Sequence, residues 1–168
     1  MPANALLAAY PPILTGTNFI TSILHTPSVR NNAGFNVGMK VTIGAAGCTV
    51  SKIGRMIHTG NSQTHSLSIF NAAGSSLGAI TINAALGTPG SFLYGTLGTP
   101  IVLSASTSYY FYSAENSGGD TWANTWGSAS VTYTSIASAM QNAYNQGSGN
   151  TDGGSSNDPY GPLDFVYT

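Results

Sequence analysis

Charge is what this chain has least of. Of its 168 residues only nine are charged, four basic and five acidic, where an ordinary soluble domain carries about a quarter. The net charge of −1 and the scatter of Arg30, Lys40, Lys52 and Arg55 leave no basic patch, which argues against a nucleic-acid partner. Cys48 is the single cysteine. It excludes an intramolecular disulfide and any thiol-built zinc or iron–sulfur site, and a lone thiol among apolar neighbours is expected as a small buried residue. No stretch approaches the roughly 20 apolar residues of a membrane span. The apolar N-terminus has no basic residue before it and is interrupted by Pro11 and Pro12, so it does not read as a signal peptide.

In place of charge the chain has small polar residues and regularly placed apolar ones. Low charge also marks disorder, but disordered chains are poor in aromatics, and nine Tyr, six Phe and two Trp are present. Alternation with a period of two, the mark of strands with one buried and one wet face, runs through Val37–Ile43, Val50–Ile57, His65–Phe70 and Leu77–Ile82. The last two are joined by the polar turn 71–76 and predict a hairpin. Gly90–Leu97 and Ile101–Leu103 follow, separated by a stop at Gly98-Thr99-Pro100. The continuous apolar run Ser108–Ser113 predicts a central strand covered on both faces. Ala129–Thr134 and Pro162–Tyr167 complete the pattern.

About eight or nine short strands at this spacing predict an all-β fold, an antiparallel β-sandwich or jelly roll. Its domain is expected over residues 18–168, with residues 1–17 as an N-terminal arm or linker. Asn4–Ala9 and Ile136–Tyr144 are the only stretches with helical character, one or two turns at most. The low-complexity segment 146–158 is expected as a long surface loop.

Five short motifs stand in order along the chain, VSKIGR at 50–55, GNSQTH at 60–65, YYF at 109–111, SAENSGGDTW at 113–122 and YGPLDFVY at 160–167. Together they resemble a poorly characterised β-sandwich module of secreted bacterial proteins, with similar sandwiches in phage virions. Val50-Ser51-Lys52-Ile53-Gly54-Arg55 is similar to its VTALGR strand, and Gly60-Asn61-Ser62-Gln63-Thr64-His65 to its GNSGTH. Tyr109-Tyr110-Phe111 stands for TYY, and Ser113-Ala114-Glu115 through Gly118-Gly119-Asp120-Thr121-Trp122 for SxETxGGDxW. The close, Tyr160-Gly161-Pro162-Leu163-Asp164-Phe165-Val166-Tyr167, matches YGPVDFxY. The resemblance spans residues 18–168 and implies a non-catalytic accessory domain of carbohydrate-active or surface proteins.

The loop 115–126 is the candidate recognition site. Glu115 and Asp120 stand beside Trp122 and Trp126, and sugars bind by stacking on aromatic plates with a few placed polar partners. The alternative is structural, with Asp120 capping the Gly118-Gly119 turn and Trp122 covering a sandwich edge. His25, His58 and His65 invite a metal reading that lacks a third ligand at metal geometry; hydrogen bonding at the turn is the competing role. Glu115 and Asp120 as a glycosidase pair sit in one loop, and no GxSxG elbow is present, so no catalytic residue is assigned. No cofactor is implied, although Asp152, Asp158 and Glu115 with loop carbonyls form a candidate calcium set.

The functional expectation is a structural and recognition protein on the surface of a phage virion, a decoration, fibre or tail component. It would assemble as a symmetric oligomer with other virion proteins. The alternative is a carbohydrate-binding module of a secreted protein, contacting cell-surface glycan.

Overall fold

A computed structural model describes residues 15–24, 28–124 and 130–168. Fourteen strands run through these segments: β1 (Thr17–Asn18), β2 (Ile20–Leu24), β3 (Ser28–Arg30), β4 (Asn36–Ile43), β5 (Cys48–Met56), β6 (Thr64–Asn71), β7 (Ser76–Asn83), β8 (Phe92–Leu103), β9 (Ser108–Ala114), β10 (Trp122–Asn124), β11 (Ser130–Tyr133), β12 (Ala137–Asn145), β13 (Thr151–Ser156) and β14 (Leu163–Tyr167). A single 3-10 turn, Ala84–Leu86, is the only helical element among the described residues.

The fold is an all-β antiparallel sandwich. One sheet has the order β1-β14-β5-β8 and the other β13-β12-β4-β9-β6-β7, with two ribbons, β10-β3 and β11-β2, beside them. The inward faces meet in one core. Met39, Val41 and Ile43 of β4, Leu67 and Ile69 of β6, and Phe111 of β9 pack against Val50, Ile53, Leu103, Leu163 and Phe165 of the other sheet. Phe165 stacks between Phe19 at 4.4 Å and Phe111 at 4.7 Å, ring centre to ring centre. Burying each such side chain contributes about 1.5–3 kcal/mol.

The expected hairpin is present as β6-β7, and β9 is central, between β4 and β6. Its second face is covered too, because Tyr110, Tyr112, Phe70 and Ala143 form a separate cluster. Cys48 is buried, and burial pushes its thiol up to about 11.

Four expectations need correction. The strand count exceeds eight or nine because β1 to β3 and β10 have too few residues to show a period, and because β12 and β13 carry no strand-like pattern. Ile136–Tyr144 is not helical: Ala137–Asn145 is a strand paired with β4 from Ala137↔Ile43 to Asn145↔Asn36. Without it the edge of β4 would lose its backbone partners, and that need outweighs the weak helical preference of Ala, Met and Gln. The segment 146–158 is not all loop, since Thr151–Ser156 is an edge strand on β12. It has no apolar residue and is held through its backbone and through Asp152, which accepts from Lys40 Nζ at 2.7 Å and Tyr110 OH at 2.8 Å. Gly98-Thr99-Pro100 does not end a strand. β8 runs through it as an edge strand, where proline's missing N–H is tolerated.

The arm expected over residues 1–17 lies outside the described residues except at its end, where Thr17 and Asn18 pair with Tyr167 and Val166. The helical reading of Asn4–Ala9 also falls outside them.

Candidate functional site

Period-two phasing brings polar residues to one end of the core. In β6, His65 shares the face of Leu67 and Ile69; in β5, Arg55 shares that of Ile53; in β9, Ser113 follows Phe111 on the inward side, and Glu115 lies one residue past the strand. A bulged residue, Ser51, makes the phasing of β5 work. It is an extra residue against β14, since Lys52 pairs with Val166 and Val50 with Tyr167, and it lets both Val50 and Ile53 face the core.

Arg55 is the hub. Its Nε and Nη2 donate to the two carboxylate oxygens of Glu115 at 3.0 and 3.2 Å. Nη2 also donates to Thr121 O, and Nη1 to Met56 O and Asn61 Oδ1. Ser113 Oγ donates to Glu115 Oε1 at 2.7 Å. His65 bridges the carboxylates: Nδ1 lies 3.4 Å from Glu115 Oε2 and 3.0 Å from Ala114 O, and Nε2 lies 3.1 Å from Asp120 Oδ2. Asp120 takes the backbone N–H groups of Ser62 and Gln63 at 2.8–2.9 Å. Burial alone would raise the Asp120 carboxyl, but these N–H donors and His65 outweigh it and hold it below the ordinary 3.8.

The side chains of Arg55, Glu115, His65 and Asp120 are at most 5 % exposed. The void beside Arg55 and Glu115 measures about 10 Å³, at most one water. Chemically the cluster is a closed ion-paired clamp joining both sheets to the 116–122 loop.

Glu115 and Asp120 are thus brought together, around His65, but into the interior. Asp120 caps the turn that ends at Ser62-Gln63, rather than Gly118-Gly119. Trp122 is 3 % exposed and packs on Ala33 and Val37, with Arg30 over its ring. Trp126 and His25 lie outside the described residues. His58 is held at the turn by its backbone N–H, which donates to Asn61 Oδ1 at 2.8 Å, and its ring Nε2 is buried with no hydrogen-bond partner among the described residues. The candidate calcium carboxylates are engaged separately, Glu115 by Arg55 and Asp152 by Lys40. Among the described residues no group of three or more His, Cys, Asp or Glu is arranged to hold a metal ion.

A third buried acid, Asp164, was not anticipated. It accepts from Tyr94 OH, Asn18 Nδ2 and the backbone of Ile20 and Phe165, and burial raises its carboxyl above 3.8 despite these donors. It lines a cleft of about 550 Å³ shared with His58, Tyr94 and Thr21.

The motif residues Gly54, Arg55, Asn61, His65, Glu115, Asp120 and Asp164 are those that build this interior. No protein-family model matches the chain, and no curated protein is significantly similar to it, so its functional assignment rests on this geometry.

Proposed function

We propose that the chain is a non-catalytic structural and recognition protein acting by surface contact, as a symmetric oligomer on the surface of a phage particle. The observation that carries this reading is where its charges are spent. Arg55, Glu115, Asp120 and Asp164 are buried and Lys40 pairs with Asp152. That leaves Arg30, Lys52 and Asp158 outside any ion pair among the described residues. A surface with so little charge has almost no repulsion to keep copies apart, and it exposes Leu86 at 78 % and Val102 at 72 %. Association through hydroxyl, amide and apolar contacts suits such a surface.

Size-exclusion chromatography with light scattering tests the reading. The expected result is one closed oligomer of defined stoichiometry. A strict monomer that also fails to join particles overturns it.

The second reading, a carbohydrate-binding module of a secreted protein, is favoured by a different observation: an aromatic-walled cleft at the β3-β10 ribbon.

A further inference from the structure

The register of the β3-β10 ribbon sets Arg30 directly opposite Trp122, and the guanidinium carbon lies 5.2 Å from the indole centre. A cleft of about 180 Å³ opens beside this pair. Three more aromatic rings line it, with Asn32, Ala33, Val37 and Gln146 completing the wall. Tyr160 meets Trp122 edge-on at 6.1 Å, Tyr144 lies 6.5 Å from Tyr160, and Phe35 lies 6.1 Å from Tyr144.

The polar groups of the cleft are unevenly balanced. Among the described residues Arg30 is the only charged one lining it. Its Nε donates to Asn32 Oδ1 at 3.0 Å, while its two terminal nitrogens have no protein acceptor among the described residues. Trp122, itself 3 % exposed, offers the cleft its ring; its indole Nε1–H is closed off from solvent, with no hydrogen-bond partner among the described residues, and is not a donor of the cleft. The donors left to the site are those of the guanidinium, and charged donors gain most from an acceptor. The site therefore calls for a ligand that brings acceptors, at least one of them anionic, on a body with an apolar face for the rings.

We infer that this cleft binds a single sugar ring carrying a carboxylate, its acid on Arg30 and its CH face against the Tyr160 and Tyr144 walls. The volume is small beside the roughly 300–1,000 Å³ of sites for drug-sized ligands, which matches one ring at the end of a glycan. Inorganic phosphate would satisfy the donors but leave the aromatic walls unused. A neutral sugar would use the walls but leave the guanidinium without its charge-assisted partner. This site is distinct from the 115–120 carboxylates, which face inward. The inference rests on the recognition half of the proposed function and not on self-assembly.

Titration of the isotopically labelled full chain with glucuronic acid and with glucose, followed by NMR at the indole N–H resonances, tests it. Trp126→Phe assigns the Trp122 signal. Glucuronic acid should shift the Trp122 resonance saturably, and glucose should bind at least about tenfold more weakly, the loss expected for one charge-assisted hydrogen bond. Arg30→Gln, which keeps the stem and an amide, should remove that preference, and Tyr160→Ala should weaken both sugars. Both variants should keep the parent's oligomeric state, so loss of binding is read separately from loss of assembly. No saturable shift with either sugar overturns the inference, as does equal affinity for the two, or an Arg30→Gln variant that retains the preference.

Discussion

Arg55 uses all its N–H groups inside the protein, and its partner Glu115 takes a bidentate pair plus Ser113 Oγ. Desolvating two such charges is expensive, so the pair as a whole contributes little net stability, whereas removing one partner strands the other. Arg55→Met or Glu115→Leu alone should cost about 3–5 kcal/mol, and the double variant should recover most of that loss. Urea denaturation of the four proteins measures the coupling; simple additivity would refute the clamp. The two buried aspartates have opposite linkage to pH. Asp120 is held below 3.8, so its stabilisation is present above that value and is lost as pH falls through the depressed folded value. Asp164 is raised, so the folded state holds the extra proton, and its contribution is full below 3.8 and declines as pH rises through the raised value. In urea midpoints followed from about pH 3 to pH 7, Asp120→Asn should flatten the acid-side loss and Asp164→Asn the decline on the way to neutrality. Slopes unchanged from the parent in both would contradict the assignment.

At the scale of elements, β5 depends on a close approach that only glycine allows. Gly54 pairs with Tyr94 on one side and Asp164 on the other, and the Tyr94 ring crosses it to donate to Asp164 at 2.5 Å. A Cβ at Gly54 would stand 2.6 Å from Tyr94 Cδ1. Gly54→Ala should therefore destabilise by about 1–3 kcal/mol, while Gly98→Ala, in open space, should lie within about 0.5 kcal/mol of the parent. Matched thermal or urea unfolding of the two variants decides it, and equal effects would mean the ring has room to move. The strands that were legible in the chain are β4, β5, β6 and β7, whose alternation reports a single buried face, and β9, whose continuous apolar run reports two. β12 and β13 were not, because one is rich in helix-compatible residues and the other has no apolar residue; both become strands by pairing in series onto β4. The clamp was half legible. Extending the phase Leu67–Ile69 back to His65, and Tyr109–Phe111 on to Glu115, places both inward, but nothing local says that Arg55 faces them from the opposite sheet.

For the molecule as a whole, the scarcity of surface charge means that the proposed oligomer would be held by uncharged contacts. Its stoichiometry by light scattering should then change little between low and high salt, since screening acts on charges that the surface hardly has. Dissociation at high salt would point to an ionic interface instead. The Arg30 cleft sets a cation among aromatic rings, between the β3-β10 ribbon and Val37 and Tyr144 of the six-stranded sheet. Arg30 and Tyr160 lie outside the main core cluster, so substitutions there should test the proposed recognition without disturbing the proposed assembly.

What the amino-acid order determined alone is the class of fold: a two-residue period selects strands with one face to bury, and strands of that kind must stack in layers. Its few charges likewise fixed the kind of surface. Only tertiary structure decided that Arg55, His65, Glu115 and Asp120, as far as 60 positions apart for Arg55 and Glu115, would meet at one end of the core. It also decided that Trp122 would turn from a candidate plate in a loop into the floor of a cleft beneath Arg30. Such contacts join residues on different sheets and ribbons, and local periodicity reports which side a residue faces but not what stands opposite it.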